Sequence, residues 1–439
     1  MEKNRITPKF VTELKDGEVF VFGSNLKGMH LGGAARIAAD KFGAVWGQGV
    51  GMQGQSYAIP TMQGGVETIK PYVDEFINYA KEHTEYQFLV TEVGCVDKDT
   101  EFLTPSGWKK ISDYSKGDKV AQYNVDDETI EFVEPFDYIK ETCNEFLHFH
   151  TKYGIDQMLT PEHKCLVINS WNGKKIIKTA QEIYDRHYQN KTGCRDKFIS
   201  TFKTKRSGVP LTDAQIRVLV MISADGCPNF NRIWLKFRKE HKIERAVKLL
   251  KEANIEYTLT KHKFETGIVF DRTDIIDKIS FSNFWECSPH QLEIIADEVL
   301  YWDGNQKNIY YTRKKIDADF IQYCFSACGK RATLVTDKRK DGSLDYRVIF
   351  AENNTCPSLM TIPSKRDENA KIVKVIDEYK YCFTVSSGFL VFRRNKNIFI
   401  TGNCGIAGFT PDEIAPLFKD AIEVNNISLP ERFWTVLGY

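Results

Sequence analysis

Apolar positions change their spacing several times along the chain. Residues 18–25 (EVFVFGSN) predict a buried strand ending in a Gly-Ser-Asn turn, and Gly32 and Gly33 open an alanine-rich helical stretch over 34–41. Residues 71–83 (PYVDEFINYAKEH) repeat at helical spacing behind a proline suited to a first helical position. The β-branched run 87–94 (QFLVTEVG) predicts a central strand, after which an α/β layer calls for a helix. None follows. From Cys95 the chain becomes short strands and glycine turns, the habit of an all-β unit. The expected continuation stands after Asn403, where CGIAGFTPDEIAPLFKDAIEV reads as a glycine loop and an amphipathic helix started by Pro, Asp and Glu. Residues 95–403, 309 of the 439, therefore behave as an insertion between flanks of 130 residues in all.

Two helical stretches lie within the insertion. TDAQIRVLVMISADG, 212–226, starts at a Thr212 N-cap and ends on Asp225-Gly226; QLEIIADEVLYWDG, 291–304, ends on Asp303-Gly304. One helix ending in Asp-Gly is explained by a glycine C-cap. Two of them bracket a basic segment, 232–263, with Arg232, Lys236, Arg238, Lys239, Lys242, Arg245 and Lys248. A second basic stretch, 309–334, adds Arg313, Lys314, Lys315, Lys330 and Arg331. Packed side by side, such helices place Asp225 and Asp303 together as ligands for divalent ions over a DNA groove, with Mg2+ the default metal.

Composition narrows the partners. With 60 Lys+Arg against 59 Asp+Glu the formal charge is +1, which excludes a globally basic coat but not a local DNA-binding face. No run approaches the ~20 apolar residues that span a bilayer, and MEKNRITPKF has no apolar signal core, so no membrane partner is expected. Eleven scattered cysteines fit thiols in a reducing cytoplasm. A zinc site on Cys287, His290, Cys324 and Cys328 ranks below buried thiols, since Cys324 and Cys328 sit i, i+4 on an apolar helix.

The residues at the two edges of the insertion carry the chemistry. Cys95 begins it, Thr160-Pro-Glu-His163 lies inside, and FITGNC, 399–404, ends it. This combination resembles an intein, a Hint-type splicing element. A thiol at Cys95 can attack the Gly94 carbonyl, His163 can protonate the leaving amide, and Thr160 can hold the scissile peptide. The resemblance implies that Cys404 then takes the N-terminal flank as a branched ester. Asn403 cyclises to release the insertion, and Gly94 is joined to Cys404 with no cofactor. Inteins often carry His where Gly402 stands and Asp where Cys382 stands, and no His occurs in 381–395. Arg393 and Arg394 are helpers or strand-face charges.

VLVMISADG, 218–226, with ADEVLYWDG, 296–304, resembles the LAGLIDADG homing endonucleases. The rejoined flanks resemble macrodomains, which implies an ADP-ribose-like nucleotide cradled by Gly23, Asn25, Gly32, Gly33, Gly405 and Gly408. The expected fold is multidomain: a macrodomain-like α/β host (1–94 and 404–439) split by an all-β Hint (horseshoe) splicing domain (95–205 and 361–403) carrying an α+β LAGLIDADG endonuclease (206–360). The expected function is self-splicing, with double-stranded DNA cut at the homing site in the uninterrupted host gene. Rival readings are a Hint domain that cleaves without ligating, and a splicing element whose endonuclease is inactive.

Overall fold

The structure is a computed structural model that describes all residues but 1–4, 9–10, 12, 31–32, 62–64, 91–93, 136, 153, 273–280, 306–307, 353–355 and 403–413. The flanks form one α/β unit. Strand β1 (Glu18–Ser24) runs parallel to β3 (Ser56–Pro60) and β4 (Gln87–Val90), and β2 (Gly51–Gln53) adds antiparallel to β3. The fifth strand, Ile427–Ser428, comes from beyond the insertion and pairs parallel with β4, Phe88 opposite Ile427. Val19, Phe76 and Phe88 from one flank share a core with Ile414, Phe418 and Phe433 from the other. The Asn426 amide donates to the carbonyls of Ala80, His83 and Tyr86.

Two helical expectations for the flanks are corrected. Helix α2 runs Val66–Glu82, so Pro71 lies inside it rather than at its start. The apolar stripe of Ile69, Val73, Phe76, Ile77 and Ala80 passes straight through the proline, and burying it outweighs one missing hydrogen bond. After the insertion the described turn is a 3-10 helix, Ala415–Glu423. The glycine loop and helix start predicted before it lie largely outside the described residues. Helix α1, Gly33–Lys41, starts one residue ahead of the predicted stretch.

The insertion opens with β5 (Val96–Asp97) and returns on the long β6 (Asp137–His150), which turns into β7 (Asp156–Leu159). The central helices follow. Helix α3 (Asp213–Asp225) begins with a Thr212–Gln215 capping box and α5 (Pro289–Asp303) with a Ser288–Gln291 box. Nearly every side of both is apolar, from Ile216 to Ile222 and from Leu292 to Trp302, as for helices buried against each other in a core. Each opens the same series. After α3 come β8 (Cys227–Asn229), β9 (Arg232–Phe237), α4 (Glu240–Glu252), β10 (Tyr257–Lys261) and β11 (Thr266–Asp271). After α5 come β12 (Gly304–Asn305), β13 (Ile309–Thr312), α6 (Lys315–Ala327), β14 (Arg331–Lys338) and β15 (Leu344–Ala351). The strand orders, 8-9-11-10 and 12-13-15-14, coincide, so the insertion contains an internal repeat.

The chain then returns through β16 (Ala370–Thr384), β17 (Phe389–Arg394) and β18 (Asn397–Gly402). Strand β16 pairs along β6 and, with β5 and β7, closes a small barrel. Strand β18 pairs with β17 and, at Asn397, with Thr333 of β14, so the last strand before the C-terminal junction is hydrogen-bonded to the second repeat. No helix among the described residues is long and apolar enough to cross a membrane.

Candidate functional site

The N-terminal junction is held by a turn that the sequence Thr-Pro-Glu-His forms after β7. Register places Leu159 opposite Val96, which brings Thr160 beside Cys95. The Thr160 amide donates to the Cys95 carbonyl at 2.9 Å, and the His163 amide to the Thr160 carbonyl at 3.0 Å. The Thr160 hydroxyl oxygen accepts the Cys95 N–H, the nitrogen of the Gly94–Cys95 peptide, at 2.8 Å. Gly94 lies against the same turn: a β-carbon on it would stand 2.3 Å from the His163 Cα and 2.5 Å from its nitrogen. Only glycine allows that approach.

His163 is fully buried. Its Nε2 is 2.8 Å from the Thr401 hydroxyl, which in turn donates its single proton to the Lys164 carbonyl at 3.0 Å. Thr401 must therefore accept from His163, which assigns the proton to Nε2 and leaves Nδ1 with its lone pair. Nδ1 is buried without a hydrogen-bond partner. Burial dominates and pulls the imidazole down to about 3. The ring is therefore neutral near pH 7.

Cys95 is fully buried, in contact with Ile139 and Cys382. Cys382, which stands where inteins often carry Asp, thus faces the first residue of the insertion. Gly402 is also explained by packing: a β-carbon there would lie 2.8 Å from both the Cβ and the carbonyl oxygen of Lys164, leaving no room for an imidazole. Arg393 and Arg394 are not strand-face charges. Arg393 is buried, forked on Glu101 at 2.7 and 2.9 Å, and reaches Asp319 of α6 at 2.6 Å. Arg394 holds Asp97, with Nε 3.0 Å from one carboxylate oxygen, and also Asp156. Asn403 and Cys404 lie outside the described residues.

Helices α3 and α5 bring Asp225 and Asp303 to adjacent ends. Each is followed by a glycine that leaves the helix with extended backbone. A β-carbon on Gly226 would meet the Ile222 carbonyl at 2.5 Å, and one on Gly304 the Leu300 carbonyl at 2.5 Å. Burial, then the charge of Asp225, lifts the Asp303 carboxyl to about 6. Lys242 from α4 donates to Asp225 at 2.7 Å. A half-buried carboxyl raised by the charge of a second one beside it suits a divalent cation, so the donor set fits the implied metal. Beneath them the buried Glu298 accepts from Arg217 at 2.8 Å, Arg245 at 3.1 Å and Trp302 at 2.9 Å. Arg245 is thereby an internal partner rather than a phosphate contact. Strand β9 keeps Arg232, Trp234 and Lys236 outward and Ile233, Leu235 and Phe237 inward.

Other sequence expectations fare variously. Cys324 Sγ faces the Leu292 carbonyl at 3.2 Å, Cys287 is buried, and the exposed His290 bonds Asp213, so these residues form no metal group among the described residues. In the host, both amide atoms of Asn25 close its own loop on Met29, at 2.9 and 3.2 Å. Gly23 lies in β1 opposite Ile59, and Gly33 starts α1. Gly32, Gly405 and Gly408 lie outside the described residues. The sequence reading missed Thr401 and the partnership of Lys242 with Asp225.

No protein-family model matches the chain. It is 24% identical over 387 residues to the ribonucleoside-diphosphate reductase subunit beta of Aquifex aeolicus, a match covering 77% of this chain and 53% of that protein. The chain thus spans about half the length of that relative. Among solved structures it is similar in part to mesophilic variants of the homing endonuclease I-DmoI, at 13% identity and a TM-score of 0.27, covering 36% of this chain and 94% of that one. It is also similar in part to the AceL NrdHF class 3 split intein, at 10% identity and a TM-score of 0.27, covering 70% and 97%.

Proposed function

We propose that the chain is a splicing precursor that excises residues 95–403 and joins Gly94 to Cys404. One observation carries the reading: the Gly94–Cys95 peptide is clamped between the Thr160 hydroxyl and the buried, neutral His163. The thiol proton of Cys95 passes to the imidazole, and the sulfur attacks the Gly94 carbonyl. The C–N bond breaks as the imidazole returns that proton to the nitrogen. The step is an isomerisation, peptide to thioester, with proton and electron pair balanced; alignment supplies most of its acceleration. Transfer to Cys404 and cyclisation of Asn403 complete the sequence. Expression of the full chain in a heterologous host tests this. Splicing gives a free 309-residue piece and a 130-residue product; a Hint domain that only cleaves gives separate flanks.

The internal repeat carries a second activity, site-specific cutting of duplex DNA. Asp225 and Asp303 would hold a divalent ion of the Mg2+ class, and such an ion would supply water activation and charge stabilisation of the departing oxygen. The outward cations of β9 contact phosphates. Asp225→Asn abolishes cutting and leaves splicing intact if the two sites are separate. The Asn25 amide is engaged within its own loop, so the reading of the host stops at an α/β unit.

A further inference from the structure

We propose that His148, His150 and Asp156 form a binding site for a transition-metal ion of the zinc class, at the loop end of the β6–β7 hairpin. Two observations place the ligands. His148 and His150 are two residues apart on β6, so their side chains leave one face of the strand, and Asp156 of β7 is the register partner of His150. Their ligand atoms then converge: Nε2 of His148 is 3.1 Å from one Asp156 oxygen, Nδ1 of His150 is 3.3 Å from the other, and all lie within 4.8 Å of one another. Ligands at zinc–nitrogen and zinc–oxygen bond lengths in a tetrahedron are about 3.3 Å apart, so an ion enters here with little movement of the strands.

The chemistry of the donors selects the ion. Two imidazoles and one carboxylate suit Zn2+, Co2+ or Ni2+ rather than Mg2+ or Ca2+. Asp156 is buried and further held by Arg394 and by the Asn395 amide at 3.0 Å, the outer partners that fix a ligating carboxylate. The His150 side chain is 46% exposed, which leaves a path for entry and a fourth position for water. Strand β7 leads directly into Thr160, and Arg394 ties Asp156 to Asp97, two residues after Cys95. A bound ion therefore stiffens the strand that presents Thr160 to the junction.

The test uses the full chain carrying Cys95→Ala and Asn403→Ala, titrated with Co2+ and with Zn2+. The expected result is one equivalent of cobalt with the visible bands of a tetrahedral nitrogen–oxygen site and no thiolate charge-transfer band. Zinc at one equivalent raises the unfolding temperature. His150→Ala, at a half-exposed position that leaves the fold intact, abolishes both effects, and His148→Ala does the same. Bands of a thiolate site, or equal binding by parent and His150→Ala, would overturn the assignment.

Discussion

Gly94 and His163 stand so close that the junction tolerates no side chain: a β-carbon on Gly94 would lie 2.3 Å from the His163 Cα. The last residue before the insertion is thereby seated on the turn that ends in the buried His163. Gly402 is seated in the same way on Lys164, the next residue of that turn. The dipeptide His163–Lys164 is thus a common platform for backbone near both ends of the insertion.

The first prediction concerns that fit. Gly94→Ala pushes the scissile carbonyl off the His163 turn, and thiol-induced cleavage at this junction falls at least tenfold while the chain stays folded. Because the clash is with backbone, it cannot be relieved by a rotamer change. Cleavage by dithiothreitol, followed on gels over time, measures it.

Thr401 fixes the imidazole tautomer, so Thr401→Val strands a buried N–H and costs about 1–3 kcal/mol. The N-terminal step slows, Thr401→Ser restores it, and nitrogen NMR of the His163 ring reports the loss of a single tautomer in the valine variant. A merely structural role for Thr401 would lower the melting temperature without touching the tautomer.

His163 gives a pH signature. Its folded value of about 3 lies below the usual 6.5, so the unfolded chain binds the extra proton between these limits. Stability is full above about pH 6.5 and falls as the pH drops toward 3, at up to about 1.4 kcal/mol per pH unit for this one group. In the splice-blocked chain, His163→Gln flattens that slope, which urea unfolding at several pH values measures.

The Asp303 carboxyl has the opposite sign. Asp303 is raised to about 6, so ionising it at pH 7 costs the metal-free fold about 1–3 kcal/mol. Asp303→Asn therefore raises the melting temperature of the metal-free chain at pH 7 while it abolishes DNA cutting. Divalent ions stabilise the parent more than the variant, and that advantage fades below about pH 6. Calorimetric scans with and without Mg2+ give the comparison.

How much of this was legible in the sequence depends on the range of the interactions. Thr212 as an N-cap and the apolar runs ending in Asp225 and Asp303 are local signals, and helices α3 and α5 follow them closely. The two-residue strand Ile427–Ser428, which joins β4 across the insertion, is too short to carry a pattern of its own. The roles of Thr401, Gly402 and Lys242 depend on what lies opposite them after folding, 238 residues away for Thr401 and His163. Arg394 reads as a surface charge because its partners, Asp97 and Asp156, lie 297 and 238 residues away in the chain. His148 and His150 did offer a local cue, their i, i+2 spacing on a strand, but the third ligand arrives only with the hairpin register.

Tandem mass spectrometry of the small product of expression tests the central claim most directly. The account predicts a peptide in which Gly94 is bonded to Cys404, lost in both Cys95→Ala and Asn403→Ala. A chain recovered only at 50.5 kDa under reducing conditions, with no such peptide, would contradict it.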